Sequence, residues 1–267
     1  MNDFPIHVEF IGEGEDPILL VPGGGARDPV YLGDISRWGA GRPVAVVHLR
    51  GTPSTGGTPR PWWDQRDDLE CVRRELGVDA LDVLAHSSGA RVALAYAASG
   101  APVRRLGLIT PPATWLTSQP DDVAELAESR LTEPAIRAAL AAPPLDLSDE
   151  QSFREYQSAT APLGYATWND AARRHAVTGS TSLTALRAFF STPPPAPVFE
   201  AIASLSIPVH VIGGAADLLS GNRPVRELAN VFRHGTVEMI EGSGHYPWVD
   251  RPAAFAAAIA RWAAISA

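Results

Sequence analysis

The amino-acid sequence predicts an α/β protein: a mostly parallel sheet with helices on both faces, interrupted by a helical insertion. Three observations predict it. First, short apolar runs ending in Gly or turn residues recur along the chain, PILLVPG at 17–23, PVAVVHL at 43–49, ALDVLAH at 80–86 and IPVHVIGG at 207–214. Continuous apolar runs of this length suit strands covered on both faces. VRRLGLIT at 103–110 and TVEMIEG at 236–242 extend the series. Second, amphipathic segments alternate with these runs. In WDQRDDLECVRRELGV, Leu69, Val72 and Leu76 recur at helical spacing among charged neighbours, and AAFAAAIARWAA closes the chain as a helix. Strand alternating with helix implies a parallel sheet, because parallel neighbours need a crossover connection.

Third, the alternation stops between about 112 and 200. DDVAELAESRL, EPAIRAALAA, SDEQSFREYQ, WNDAARRHAV and SLTALRAFF all read as helices there, with Ser148 and Gln151 spaced as a capping box. PPPAP at 193–197 stiffens the return to the sheet. The expected organisation is a core made of 1–111 and 201–267 with a helical lid at 112–200. In open α/β sheets ligands bind outside the carboxyl ends of the strands, where such a lid would lie.

Composition narrows the function. The chain has 267 residues, 45% of them hydrophobic and 19% charged, with a formal net charge of −8. Counterion release from nucleic acid needs clustered Lys and Arg; the basic residues here come in ones and twos, so a nucleic-acid partner is not expected. No run of about 18 apolar residues suggests a membrane span. The first residues, MNDFPIHVEF, lack the basic start and apolar core of a secretory leader, and the single cysteine, Cys71, allows no internal disulfide. The expectation is a cytoplasmic protein with a small-molecule substrate. No Cys/His set has zinc spacing and no phosphate-binding loop of the form G-x-x-x-x-G-K-[ST] occurs, so neither metal nor cofactor is expected.

LAHSSGARVAL, residues 84–94, joins a buried strand to a small-residue helix and carries two adjacent serines. A nucleophile on a sharp strand-to-helix turn presses together the residues two before and two after it, so both must be small. With Ser87 at the apex these are Ala85 and Gly89; with Ser88 they would be His86 and Ala90. Ser87 is therefore the candidate. A serine hydroxyl needs a base, and the base needs an orienting acid. Asp217 ends the strand VHVIGGAAD, and His245 stands in the Gly-flanked loop after the next strand. LVPGGGARD places Gly23 and Gly24 after an early strand, where backbone N–H groups can form an oxyanion hole together with the N–H of Ser88. Trp115, Trp168 and Trp248 are candidates for lining an apolar pocket. His48, His86, His210 and His234 read as structural or solvated.

These motifs resemble the α/β-hydrolase superfamily, whose members carry Ser, Asp and His in this chain order, and within it the proline iminopeptidase-like branch. VPGGGA looks like that branch's H-G-G-P-G loop with Pro22 in place of His. HLRGTPSTGG looks like its D-x-R-G-x-G-x-S segment with His48 in place of Asp, and GSGHYPWVDRP is similar to its G-x-G-H segment. The resemblance implies the α/β-hydrolase fold and cofactor-independent serine hydrolysis of a small ester, lactone, thioester or amide through an acyl-enzyme on Ser87. Members that release N-terminal proline hold the substrate amine with lid glutamates, one following a tryptophan. Here Asn169 follows Trp168, with Asp170 one residue further. Prolyl aminopeptidase activity is the alternative within this class. A ligand-binding or non-hydrolytic lyase or cyclase on the same fold is the alternative of another class.

Overall fold

The computed structural model describes residues 6–266. Seven strands form one sheet: β1 (Val8–Ile11), β2 (Ile18–Val21), β3 (Val44–Val47), β4 (Leu81–His86), β5 (Val103–Ile109), β6 (Val209–Gly214) and β7 (Gly235–Ile240). Their spatial order is β1-β3-β2-β4-β5-β6-β7. β1 runs antiparallel to β3, and every other pair is parallel. This is the α/β-hydrolase fold that the sequence predicts.

Period-two alternation divides the strands between two cores. Leu19, Val21, Val83, Ala85, Leu106 and Val211 face one layer of helices; Ile18, Leu20, Leu84, Ile109 and Ile212 face the other. The first layer contains α1 (Arg66–Glu75) and α2 (Gly89–Ala98). After β5 come α3 (Val123–Glu128), α4 (Pro134–Leu140), α5 (Glu150–Thr160), α6 (Asp170–Ala176), α7 (Leu183–Phe189) and α8 (Ala196–Ala203), then α9 (Arg223–Val231) between β6 and β7. The chain ends with α10 (Pro247–Asp250) and α11 (Pro252–Ala263), whose Phe255, Ile259 and Trp262 fill the second core.

The differences from the sequence reading are local. β1 was not anticipated: it has only four residues, two of them exposed, and its pairing with β3 is non-local. α9 was also missed, although Val225, Leu228 and Ala229 recur at helical spacing and are buried. The proline-rich return is itself helical from Ala196. α8 packs on α2, and its Val198 and Ile202 belong to the same buried cluster as that helix. The cap of α5 is Asp149, whose carboxylate accepts from the Gln151 and Ser152 amides, in place of Ser148; Ser148 Oγ instead donates to Asp149 at 3.2 Å. No helix among the described residues is long and apolar enough to cross a membrane.

The turn from β4 into α2 is the tightest point of the core. A methyl group on Gly89 would stand 2.4 Å from the Pro22 carbonyl oxygen and 2.7 Å from that of Val21. Both carbonyls are backbone at the end of a central strand and cannot swing aside. Gly89→Ala should therefore destabilise the fold by about 3 kcal/mol, the upper end of ordinary overpacking costs. Urea unfolding of the variant beside the parent measures this, and a change below roughly 0.5 kcal/mol would contradict the close approach.

Candidate active site

Ser87 occupies the turn between β4 and α2 with φ of +50°, a left-handed conformation that costs a residue with a side chain roughly 1–3 kcal/mol. Its amide donates to the Ile109 carbonyl at 2.8 Å, which ties the turn to the end of β5. The residue is half-buried while its neighbours His86, Ser88 and Gly89 are buried, and it follows β4 directly, at the carboxyl edge of the sheet.

Asp217, after β6, and His245, after β7, meet at the same edge. His245 Nδ1 donates to Asp217 Oδ2 at 2.8 Å, and both residues are almost fully buried. The other carboxylate oxygen accepts from the amides of Leu219 at 2.8 Å and Ser220 at 3.2 Å, which fixes its plane. With Nδ1 bound to the acid, a neutral His245 carries its lone pair on Nε2. Among the described residues Ser87 Oγ and His245 form no hydrogen bond; such contacts are often long before a substrate closes the site.

The glycine loop after β2 divides its tasks. The Gly23 amide donates to Tyr31 Oη at 2.7 Å and the Gly25 amide to Ser88 Oγ at 3.0 Å. Gly23 is thus removed from the oxyanion donors expected from sequence, and its requirement is steric: an added Cβ would lie 2.8 Å from both the His86 carbonyl oxygen and Ser87 Cβ. Gly24, with φ of +70°, is the partly exposed member of the triplet. Ser88 contributes through its side chain as well, since its hydroxyl anchors the loop.

A chain of neutral groups joins the three loops. The Gly23 N–H donates to Tyr31 Oη, the Tyr31 hydroxyl donates to His86 Nδ1 at 2.8 Å, and His86 Nε2–H donates to the His245 carbonyl at 3.1 Å. The tautomer follows from the ends of the chain, because a carbonyl can only accept. Burial, reinforced by the nearby His245, holds the His86 pKa well below the ordinary histidine value, and burial raises that of Tyr31. Thr110 Oγ1 also donates to the His245 carbonyl, at 3.0 Å. His86 takes a structural part in this chain of hydrogen bonds, and Tyr31 and Thr110 carry no local sequence signal.

The tryptophans separate. Trp168 lines a cavity of about 740 Å³ together with Arg27, Arg154, Tyr165, Leu219 and Tyr246. Trp115 packs on Trp62 and Phe199, donates to the Pro112 carbonyl and lies under the Arg91 guanidinium at 4.3 Å. Burial lowers the Arg91 pKa to about 10. Trp248 packs against Trp38 and His86, with ring centroids 4.8 Å away in each case. Trp115 and Trp248 thus contribute packing through these contacts. Among the described residues no group of three or more His, Cys, Asp or Glu could hold a metal ion.

A profile of the alpha/beta hydrolase family matches residues 18–258, and the chain belongs to that family. Among solved structures it is similar to an esterase from Rhodococcus sp. ECU1013, at 18% identity and TM-score 0.77, over 98% of this chain and 95% of that one. An esterase from Exiguobacterium antarcticum matches at 16% identity and TM-score 0.70, over 96% and 94%. A thermophilic esterase from Thermogutta terrifontis matches at 21% and 0.64, over 97% and 92%. At these identities the likeness establishes the shared fold. No curated protein sequence matches the chain significantly.

His175 supplies a pH test of this architecture. Its Nε2–H donates to the Tyr31 carbonyl at 2.6 Å and its Nδ1 accepts from the Tyr165 hydroxyl at 2.7 Å. Burial lowers its pKa to about 4, while the unfolded chain should show about 6.5. The unfolded state then binds the proton first, so the contribution is complete above about pH 6.5 and is lost as the pH falls toward 4. The melting temperature should drop over that window, and His175→Gln should reduce the difference between pH 7 and pH 5. An unchanged difference would rule out His175 as a source of the acid sensitivity.

Proposed function

We propose that the protein is a serine hydrolase of small carboxylic esters, working through an acyl-enzyme. The observation that carries this reading is the juxtaposition, at one sheet edge, of a serine in a left-handed turn and a buried histidine held by an aspartate at 2.8 Å. Ser87 Oγ attacks the acyl carbon while His245 Nε2 takes its proton. Asp217 keeps the imidazole in the required tautomer and stabilises the imidazolium that forms. The amides of Gly24 and Ser88 hold the oxyanion, and His245 then returns the proton to the leaving alkoxide. Water, deprotonated by the same histidine, releases the acid. The esterases among the structural neighbours support the choice of ester. The helices between β5 and α8 form the lid of this site in our reading.

The prolyl aminopeptidase alternative has less support. Asn169, where that branch places a glutamate, caps α6 by accepting from the Ala172 amide at 3.0 Å. The Asp170 side chain is 89% exposed and faces Arg173. An α-ammonium entering the cavity would meet arginines and no carboxylate.

A fluorophosphonate probe should label the parent and fail to label Ser87→Ala; equal labelling would sink the hydrolase reading. Asp217→Asn should lower kcat on p-nitrophenyl butyrate by roughly 10³–10⁴-fold, the scale set when an acid no longer holds its histidine's tautomer. Proline p-nitroanilide should be cleaved far more slowly than p-nitrophenyl butyrate, and efficient proline release abolished by Asp170→Asn would reverse the order of the two readings.

A further inference from the structure

The cavity of about 740 Å³ lies beside the base and donor loops. Tyr246 follows His245 directly, Leu219 follows Asp217 by two residues, and Arg27 closes the glycine loop. The donor loop is in close contact with this wall: a Cβ built on Gly24 would stand 2.6 Å from Arg27 Cβ and 3.3 Å from Thr181 Oγ1. The far wall comes from α5, α6 and the turn 176–181. Three arginines, Arg27, Arg154 and Arg173, line it, and no acidic residue does. In a chain of net charge −8 this is a local reversal of sign.

The three arginines are not equivalent. Arg154 faces Glu150 at 3.3 Å and Arg173 faces Asp170 at 4.0 Å, so each is partly neutralised and both are exposed. Arg27 is half-buried, and among the described residues no carboxylate lies within 4.0 Å of it. Its Nε donates to the Gly179 carbonyl at 3.1 Å, one terminal nitrogen to the Thr178 carbonyl at 2.5 Å and the other to Tyr246 Oη at 3.2 Å. The guanidinium also lies over the Tyr31 ring, 4.3 Å from its centroid. A guanidinium has five N–H groups, so one remains on each terminal nitrogen. Tyr246 Oη accepts from Arg27, which leaves its own O–H to donate. The result is a cation held rigidly by neutral partners, with two N–H groups and one O–H still available. Two N–H groups are the number a carboxylate takes from arginine in a bidentate pair.

We propose that this cavity binds a carboxylate carried by the substrate, with Arg27 as its counter-ion, so that the enzyme acts on ester monoacids in preference to neutral esters. The proposal rests on the serine-hydrolase reading for its chemistry, though the binding step stands without it. Trp168, under the Arg173 guanidinium at 5.6 Å, offers an apolar face to the carbon skeleton between the two functional groups.

The test compares matched esters that carry the carboxylate on either side of the scissile bond: monomethyl adipate against methyl hexanoate, and 4-acetoxybenzoate against phenyl acetate. At low ionic strength kcat/KM should favour the acid by at least tenfold in one pair, and the preference should shrink in 0.5 M salt. Arg27→Gln should reduce that ratio at least tenfold and Arg154→Ala by less. The ratio separates recognition from bracing: if Arg27 only supports the turn at 178–179, both rates fall together and the ratio stays, which would overturn the proposal. So would a parent enzyme that favours the neutral ester in both pairs. Calorimetry of adipate and benzoate with Ser87→Ala, which needs no turnover, isolates this inference from the hydrolase reading. One of the two anions should bind, and its affinity should fall at least tenfold in Ser87→Ala/Arg27→Gln; equal affinity, or no binding of either, would count against the anion site whatever the fluorophosphonate result.

Discussion

The site depends on one buried relay, in which Gly23 donates to Tyr31, Tyr31 to His86, and His86 to the carbonyl of His245. It binds together the loops that follow β2, β4 and β7, which are remote in sequence and carry the glycine triplet, Ser87 and His245. Each member is neutral and each bond has one direction. In a low-dielectric interior that matters, because an uncompensated charge would cost far more than the hydrogen bonds return. The depressed pKa of His86 is the same fact seen from the side of titration: protonation would give its Nδ1 a hydrogen facing the hydroxyl of Tyr31.

The strain at Ser87 persists because its surroundings over-determine it. The turn is fastened to β5 through the Ile109 carbonyl, pressed onto β2 at Gly89, and tied to the glycine loop by Ser88 Oγ. Ser88 thus resolves the question of the adjacent serines in structural terms. Ser87 is the half-buried residue at the turn; Ser88 has its hydroxyl committed to the Gly25 amide, next to Gly24. Relaxing the turn would require breaking all three attachments at once.

How much of this was legible in the sequence follows from where each constraint acts. The choice of Ser87 over Ser88 rests on sterics within five consecutive residues, so Ala85 and Gly89 announce it. Asp217 and His245 stand out as candidates by their places after apolar strands. Tyr31, Thr110 and His175 do not, because no local period marks them and each meets a partner remote in the chain, 55 residues away for Tyr31 with His86, 135 for Thr110 with His245 and 144 for His175 with Tyr31. The commitment of the Gly23 amide is hidden for another reason: its partner, Tyr31 Oη, is close in sequence but reached only through the short 3-10 helix at Pro29–Leu32. β1 escaped because an edge strand of four residues draws its stability from β3, a property of the pair and not of the segment.

The helical insertion is fastened to the core more firmly than a hinged cover would be, and the fastening is uneven. The His245 amide donates to the Gly164 carbonyl at 2.8 Å, and Leu218 to that of Leu163 at 3.3 Å. Asp250 accepts from both the Ala166 and Gly244 amides, while the buried Arg130, itself in the insertion, reaches the Ala216 carbonyl after β6 at 3.4 Å. Lifting residues 163–166 would therefore pull the loop of His245 with them and disturb the His245–Asp217 pair. The opposite wall, at 177–181, is held to the core by Arg27, by the Asp28 amide on the Ser180 carbonyl and by the bridge of Arg27 with Thr181, and Val177 is 86% exposed. If the cavity widens for a substrate, the route that leaves the hydrogen bond of His245 with Asp217 undisturbed is on that side. A guanidinium that both braces that wall and faces the cavity would then couple the wall's position to occupancy by an anion.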